Sequence, residues 1–91
     1  MSTLALMPRL DLSQVGPLAA ELRAHQGADL VIDAGAVTHF GALGLQLLVS
    51  AALSWRAAGH TLSITPRSAA FDDALAQLGV ALAELQTEEA A

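Results

Sequence analysis

A glycine-punctuated loop that runs directly into an almost uncharged helix constrains the fold of this chain more than any other feature. The segment 37–49 reads VTHFGALGLQLLV, and Gly41 and Gly44 allow close backbone approaches that a Cβ would prevent. Over residues 43–58 the only charged residue is Arg56, whereas an ordinary surface helix carries one charged face. This helix therefore needs cover on more than one side, from the domain itself or from another protein.

Helical periodicity divides this helix into two opposite stripes. At 100° per residue, one stripe is aliphatic and is predicted to face the core, and Leu48 within it should be fully buried. The other stripe is small and uncharged, so either a neighbouring helix or a partner protein should cover it. We expect its first member, Leu43, to face a partner. The core stripe comprises Leu45, Leu48, Val49 and Ala52, and the other comprises Leu43, Leu47, Ser50 and Ser54.

Composition narrows the classes of function. Nine acidic residues against four basic ones give a net charge of -5, so the basic footprint that nucleic acid or an anionic membrane requires is absent. Cysteine is also absent, which excludes disulfides and thiolate chemistry. No apolar run approaches the ~20 residues of a membrane span, and the N-terminus lacks the basic start of a signal peptide. We expect a cytoplasmic protein without membrane insertion. Its hydrophobic fraction of 54% indicates a surface that binds a protein partner, a homodimer, or only a sequence enriched in alanine.

Alternation and turn residues predict the order strand, strand, helix, strand, helix, strand, helix. The first two strands should form an antiparallel hairpin, the run 29–33 the central strand, and right-handed crossovers the later parallel pairs. Ser13 and Ser68 should cap the first and last helices. The fold class is α/β: a four- to five-stranded mixed sheet covered by three to four helices, with one domain over residues 1–85 and a flexible acidic tail over 86–91. The predicted strands are 3–7, 10–12, 29–33 and 61–65, and residues 80–82 form an edge strand or a final turn.

The sequence offers little for catalysis. The histidines His25, His39 and His60 have no metal-ligand spacing, and no acid–base pair, nucleophile or cofactor motif is visible. We therefore expect a binding module rather than an enzyme, with no catalytic residue, no metal and no cofactor. Asp33, at the end of the central strand, should brace the following loop by accepting hydrogen bonds from its N–H groups.

Three spaced segments resemble the STAS domain family, named for sulfate transporters and anti-sigma factor antagonists. They are LDLS at 10–13 with PL at 17–18, DLVID at 29–33 and VTHFGALGL at 37–45, and the resemblance extends over roughly residues 4–82. Family members of this size are switches that bind a kinase-like partner through the loop and the start of the second helix. The chain also resembles, more narrowly, the small STAS proteins of bacterial chemotaxis operons, whose partner is the chemotaxis histidine kinase.

The resemblance implies where a partner binds and what has changed there. In phosphorylated members the loop reads Asp-Ser-Ser-Gly-Leu and its first serine accepts phosphate, whereas residues 41–45 here read Gly-Ala-Leu-Gly-Leu. Ala42 thus stands at a degenerate phosphoacceptor position, and Thr38 remains as an alternative acceptor in the loop. The implied role is signal transduction or transcription regulation by docking on an anti-sigma kinase or a chemotaxis histidine kinase, without phosphorylation at the usual site. The expected partner-binding residues are His39, Phe40, Gly41, Ala42, Leu43, Gly44 and Leu47.

Two functions from other classes remain open. One is a cytoplasmic STAS subunit of a lipid ABC transporter complex, which would also bind a protein. The other is a small-ligand sensor that uses the crevice above Asp33, because ligands of open α/β sheets bind at the carboxyl ends of strands. Neighbouring genes would separate them, since a kinase, a chemotaxis cluster and a transporter ATPase are different neighbours.

Overall fold

A computed structural model gives the fold and describes residues 2–86. It contains five strands, three α-helices and one 3₁₀ turn. In chain order these are β1 (Ser2–Ala5), β2 (Arg9–Leu10), α1 (Leu12–Ala24), β3 (Leu30–Ala34), β4 (His39–Phe40), α2 (Ala42–Ala57), β5 (Leu62–Arg67), α3 (Ala69–Leu78) and the 3₁₀ turn Leu82–Glu84.

The strands form two parallel sheets. In the larger sheet the order is β1-β3-β5, and β2 and β4 form a separate two-stranded sheet. Every strand pair in residues 2–86 is parallel, as crossover connections through helices require. The α/β class and the central position of the strand predicted at 29–33 are confirmed.

The predicted antiparallel opening hairpin is wrong. β1 pairs with β3, with Leu4 opposite Ile32, and β2 pairs with β4, with Leu10 opposite Phe40. Alternation of apolar residues is the same in parallel and antiparallel strands, so it could not decide the direction. A two-residue β2 offers β1 little to pair with, whereas β3 offers four paired positions.

Two helices begin at side-chain caps. Asp11, not Ser13 as predicted, caps α1, because its carboxylate accepts hydrogen bonds from Ser13 N at 3.1 Å and from the Ser13 hydroxyl at 2.6 Å. Ser68 caps α3 as predicted, accepting from Phe71 N at 3.1 Å. The Ser68 hydroxyl also donates to Val37 O at 2.6 Å, which ties the start of α3 to the loop before β4.

The core lies between the larger sheet and the helices. Leu48 is fully buried, as predicted, and Phe40 packs against Phe71 with ring centroids 4.9 Å apart. Trp55 is also buried and donates from Nε1 to Ala28 O at 2.9 Å. The largest fully buried side chains are Phe71, Leu10, Leu30, Ile32, Leu48, Leu62, Ile64, Leu85 and Val37.

The C-terminal end of the described region is attached to the domain. Leu85 is fully buried. Gln86 accepts from Ile64 N through Oε1 at 2.9 Å, and its carbonyl accepts from Arg56 Nη2 at 3.1 Å. The remainder of the tail predicted over 86–91, residues 87–91, lies outside the described residues. Of the helices within residues 2–86, none combines the length and the apolar character that crossing a membrane requires.

Candidate functional site

The loop that connects β3 to α2 begins with a side-chain brace. Asp33 Oδ1 accepts a hydrogen bond from Gly35 N at 2.9 Å. A Cβ at Gly35 would lie only 3.1 Å from Pro66 Cγ, so the loop passes Pro66 more closely than another residue type would readily allow. The chain therefore leaves the end of β3 in a fixed direction.

The second half of the loop is tied to β2 and to the residue before it. Pro8 O accepts from Thr38 N at 2.7 Å, from the Thr38 hydroxyl at 3.0 Å and from His39 N at 3.1 Å. Gly41 N donates to Leu10 O at 3.1 Å. These bonds hold the start of α2 beside the β2–α1 connection.

Phe40 and Gly44 face inward, which corrects the expectation that they lie on a docking surface. In the two-residue β4, His39 points to solvent and Phe40 points to the core, where it is only 7% exposed. Gly44 is buried on α2, and a Cβ there would lie 3.3 Å from Phe40 Cε1 and 3.7 Å from Leu10 Cβ. Both residues therefore support the surface from beneath: the Phe40 ring fills the core, and Gly44 leaves room for it.

The exposed members of the predicted site form one continuous patch. His39, Ala42 and Leu43 are exposed, and Leu43 is 50% exposed. We call these three side chains, with the backbone of Gly41, the α2-start surface. Leu47, also expected to contact a partner, is half-buried and packs against the core.

A shallow open depression of about 250 Å³ lies at the α2-start surface. Leu10 and Asp11 contribute to its lining together with the loop and the first turn of α2. Sequence reasoning missed these two residues, because they come beside α2 only through the parallel pairing of β2 with β4. Their sequence signals were their position immediately before α1 and their place in the LDLS segment at 10–13, and neither signal locates them beside α2.

The depression has electrostatic features of opposite sign. α2 begins at Gly41 without a side-chain cap and has no acidic residue in its first turn, so the positive end of the helix dipole is not offset there. On the other side, the hydrogen bond from the Ser13 hydroxyl, helped by the Ser13 backbone N–H and by the nearby Arg9 and His39, lowers the pKa of Asp11. The carboxylate of Asp11 therefore places a negative charge at this side of the depression.

The core face of α2 is turned toward α1 relative to the prediction. Ala51 and Trp55 are buried, whereas Val49 is half-buried, because the indole of Trp55 carries the largest apolar surface in the helix. The stripe predicted opposite the core, which begins with Leu43 and Leu47, consequently lies in two different environments. Leu47 lines a groove against α1, while Leu43 stays exposed. Cover by a neighbouring helix thus applies to the Leu47 side.

No cluster of three or more potential metal-ligating His, Asp or Glu side chains occurs within residues 2–86. The fold and the patch define a small α/β module that presents a helix start and a shallow depression to its surroundings. Such a surface suits contact with another macromolecule better than enclosure of a substrate.

The family model described as "Mlab, STAS domain" matches residues 1–86. This is nearly the whole chain, and the chain belongs to the STAS domain family. STAS domains are generally non-catalytic binding modules. A search of curated proteins and a search of solved structures each found no match. The narrower resemblance to STAS proteins of chemotaxis operons stays a prediction.

Proposed function

We propose that this chain is a cytoplasmic, non-catalytic regulator of the anti-sigma antagonist type that docks on a kinase-type protein through the α2-start surface. The partner would be an anti-sigma kinase or a chemotaxis histidine kinase. Family membership supports the regulatory binding role in general. The observation that carries the docking site is Leu43, which is 50% exposed on the first turn of α2.

The exposed half of the Leu43 side chain gains no free energy of burial in the isolated domain, and a partner that covered it would supply that gain. Full burial of a leucine side chain is worth about 1.5–3 kcal/mol, so covering the exposed half of Leu43 would contribute roughly 1 kcal/mol. Gly41 has no side chain beside it, which lets another backbone approach the helix start. His39 adds a polar contact at the edge of the same surface.

The α2-start surface has no hydroxyl group at the position that phosphorylated family members use. Residues 41–43 read Gly-Ala-Leu, and none of these side chains has an oxygen that could accept a phosphoryl group. Thr38 is exposed, but its hydroxyl donates to Pro8 O at 3.0 Å, and it lies ahead of β4. Docking is therefore proposed to be independent of phosphorylation at this position.

A matched pair of leucine variants tests the docking site. Leu43→Glu and Leu53→Glu change exposed leucines of the same helix, 50% and 59% exposed, about 15 Å apart along its axis. We expect Leu43→Glu to weaken binding to a kinase encoded beside this chain's gene more than tenfold in calorimetric titration. Leu53→Glu should bind as the wild type does. Equal binding by Leu43→Glu and wild type would refute the proposed site.

A second candidate function is a STAS subunit of a lipid ABC transporter complex. The absence of a phosphoacceptor at Ala42 favours this transporter role as much as it favours the kinase-docking role, because a permanent subunit needs no phosphorylation switch. Co-purification with a transporter ATPase, and not with a kinase, would identify this role. A small-ligand sensor has less support, because the depression at the α2-start surface is not lined by Asp33 and its volume of about 250 Å³ is below the ~300–1,000 Å³ usual for ligand pockets.

A further inference from the structure

The first strand, β1, lies at an edge of the larger sheet. Within residues 2–86 it has one neighbouring strand, β3, and Ser2 N donates to Asp29 O on that side at 3.1 Å. The direction of the backbone N–H and C=O groups alternates along a strand, so those of Thr3 and Ala5 point away from the sheet. Both residues are exposed, and solvent can reach these groups.

The outer side of β1 lacks the features with which proteins usually protect an edge strand. Those features are charged side chains, prolines and bulges. Residues 2–6 read STLAL, and residues 2–5 pair with β3 in continuous register. A row of outward N–H and C=O groups pairs with another extended polypeptide, because an extended backbone offers complementary groups at the same spacing. The chemistry of this edge therefore selects an extended segment of protein.

The face of the sheet that points away from the core carries a negative charge beside this edge. Leu4 is buried on the core face, so the side chain of Ala5 lies on the opposite face. Ala5 is opposite Asp33 in the parallel pair. The carboxylate of Asp33 accepts from Gly35 N and forms no ion pair with a side chain of residues 2–86. The small methyl group of Ala5 leaves space for a longer side chain to pass over it.

We propose that the outer edge of β1 binds an extended, basic segment of a partner protein as an additional strand. The segment pairs with the backbones of Thr3 and Ala5, and a lysine beside Ala5 extends toward Asp33. Adjacent strands are about 4.8 Å apart, so the lysine Cα lies about 10 Å from the Asp33 Cα, a span that the two side chains together cover. The net charge of -5 attracts a basic segment and repels a second copy of this chain.

This edge is separate from the α2-start surface, to which β1 contributes no residue. The proposal therefore does not depend on kinase docking. Leu43→Glu should leave binding at the β1 edge unchanged, and a change at the β1 edge should leave kinase binding unchanged.

The peptide acetyl-Lys-Val-Lys-Val-Lys-amide is the probe, and the same peptide with glutamine in place of lysine is its control. Alternation places the lysines on the face of Asp33 and the valines, which favour strands, on the other face. In calorimetric titration the lysine peptide should bind more than tenfold tighter than the glutamine peptide, and its affinity should fall with added salt. Asp33→Asn keeps an acceptor for Gly35 N but removes the charge, and it should reduce this preference at least threefold. Equal affinities of the two peptides, or a preference that Asp33→Asn leaves unchanged, would refute a basic occupant.

Ala5→Pro and Ala5→Ser form a matched pair of variants that tests the backbone pairing. Proline removes an N–H that points away from β3, so the sheet keeps its own hydrogen bonds, whereas serine keeps both the N–H and a small side chain. Ala5→Pro should weaken binding of the lysine peptide more than tenfold, and Ala5→Ser should bind as the wild type does. A urea unfolding midpoint close to that of the wild type shows that Ala5→Pro is folded. Equal peptide binding by folded Ala5→Pro and the wild type would contradict the added strand.

Amide hydrogen exchange tests the same edge in the unaltered chain, and decides the matter even if Ala5→Pro does not fold. The amides of Thr3 and Ala5 should exchange rapidly in the free domain, and that of Leu4 slowly, because its N–H points toward β3. Saturation with the lysine peptide should slow exchange at Thr3 and Ala5 more than tenfold. Slow exchange at both residues in the free domain, or no binding up to millimolar peptide, would overturn the proposal. Self-association of the wild type that Ala5→Pro abolishes would overturn it in favour of a second copy at this edge.

Discussion

Shortening Leu48 to alanine should destabilise the domain by about 3 kcal/mol, within the 2–5 kcal/mol range of such truncations. Leu48 is fully buried in α2, whereas Leu53, five residues further along the same helix, is 59% exposed. Leu53→Ala makes the same chemical change and alters helix propensity equally. It should cost less than about 0.5 kcal/mol, as surface substitutions do. The difference between the two variants therefore measures burial alone.

Urea unfolding followed by circular dichroism provides the measurement. With a slope of about 1–2 kcal/mol/M, a loss of 3 kcal/mol lowers the unfolding midpoint by roughly 1.5–3 M. Leu53→Ala should shift the midpoint by no more than a few tenths of that amount. A loss below ~1 kcal/mol for Leu48→Ala, or equal losses for both variants, would mean that α2 does not face the sheet as described.

Three further outcomes are expected. Leu43→Glu should leave thermal stability nearly unchanged, because solvent can hydrate the carboxylate, while weakening the kinase complex more than tenfold, about 1.4 kcal/mol; unfolding of this variant would show that the domain itself covers Leu43. Incubation with a cognate kinase and labelled ATP should give no stoichiometric label, and label on Thr38 would show that the acceptor has moved. Asp11→Asn removes a carboxylate whose pKa is lower in the folded state than in the unfolded chain. This carboxylate therefore stabilises the folded domain at pH values above the ordinary aspartate pKa. The stabilisation should disappear as pH falls through the folded-state pKa. In urea titrations from neutral to strongly acidic pH, the wild type should lose its advantage over this variant, and a constant difference would contradict the cap.

The fold was predictable where local chemistry decides the structure. The buried strand 29–33 and the cap at Ser68 follow from short sequence patterns. The pairing of β1 and β2 does not, because alternating burial is the same in both strand directions and the partners lie far along the chain. For the same reason the sequence did not place Leu10 and Asp11 beside α2.

Exposure within the candidate site was predictable for part of α2, but the orientation of every side chain was not. The exposure of Leu43 follows from helical periodicity. Phe40 was misplaced because β4 has two residues, too few for alternation to reveal which one faces inward. The rotation of α2 depends on Trp55, whose side chain fills a place against the Ala28 carbonyl that no periodic pattern specifies.

Gln86 gives the larger sheet a protected edge. β5 lies at one side of that sheet, and exposed edge strands can recruit strands from other molecules and initiate aggregation. The amide oxygen of Gln86 occupies the N–H of Ile64 at 2.9 Å, while Arg67 Nη1 donates to the Ile64 carbonyl at 3.0 Å. Two side chains thus occupy both backbone groups of the middle of this strand, and a chain shortened before Gln86 would present an open N–H there to any strand that approaches.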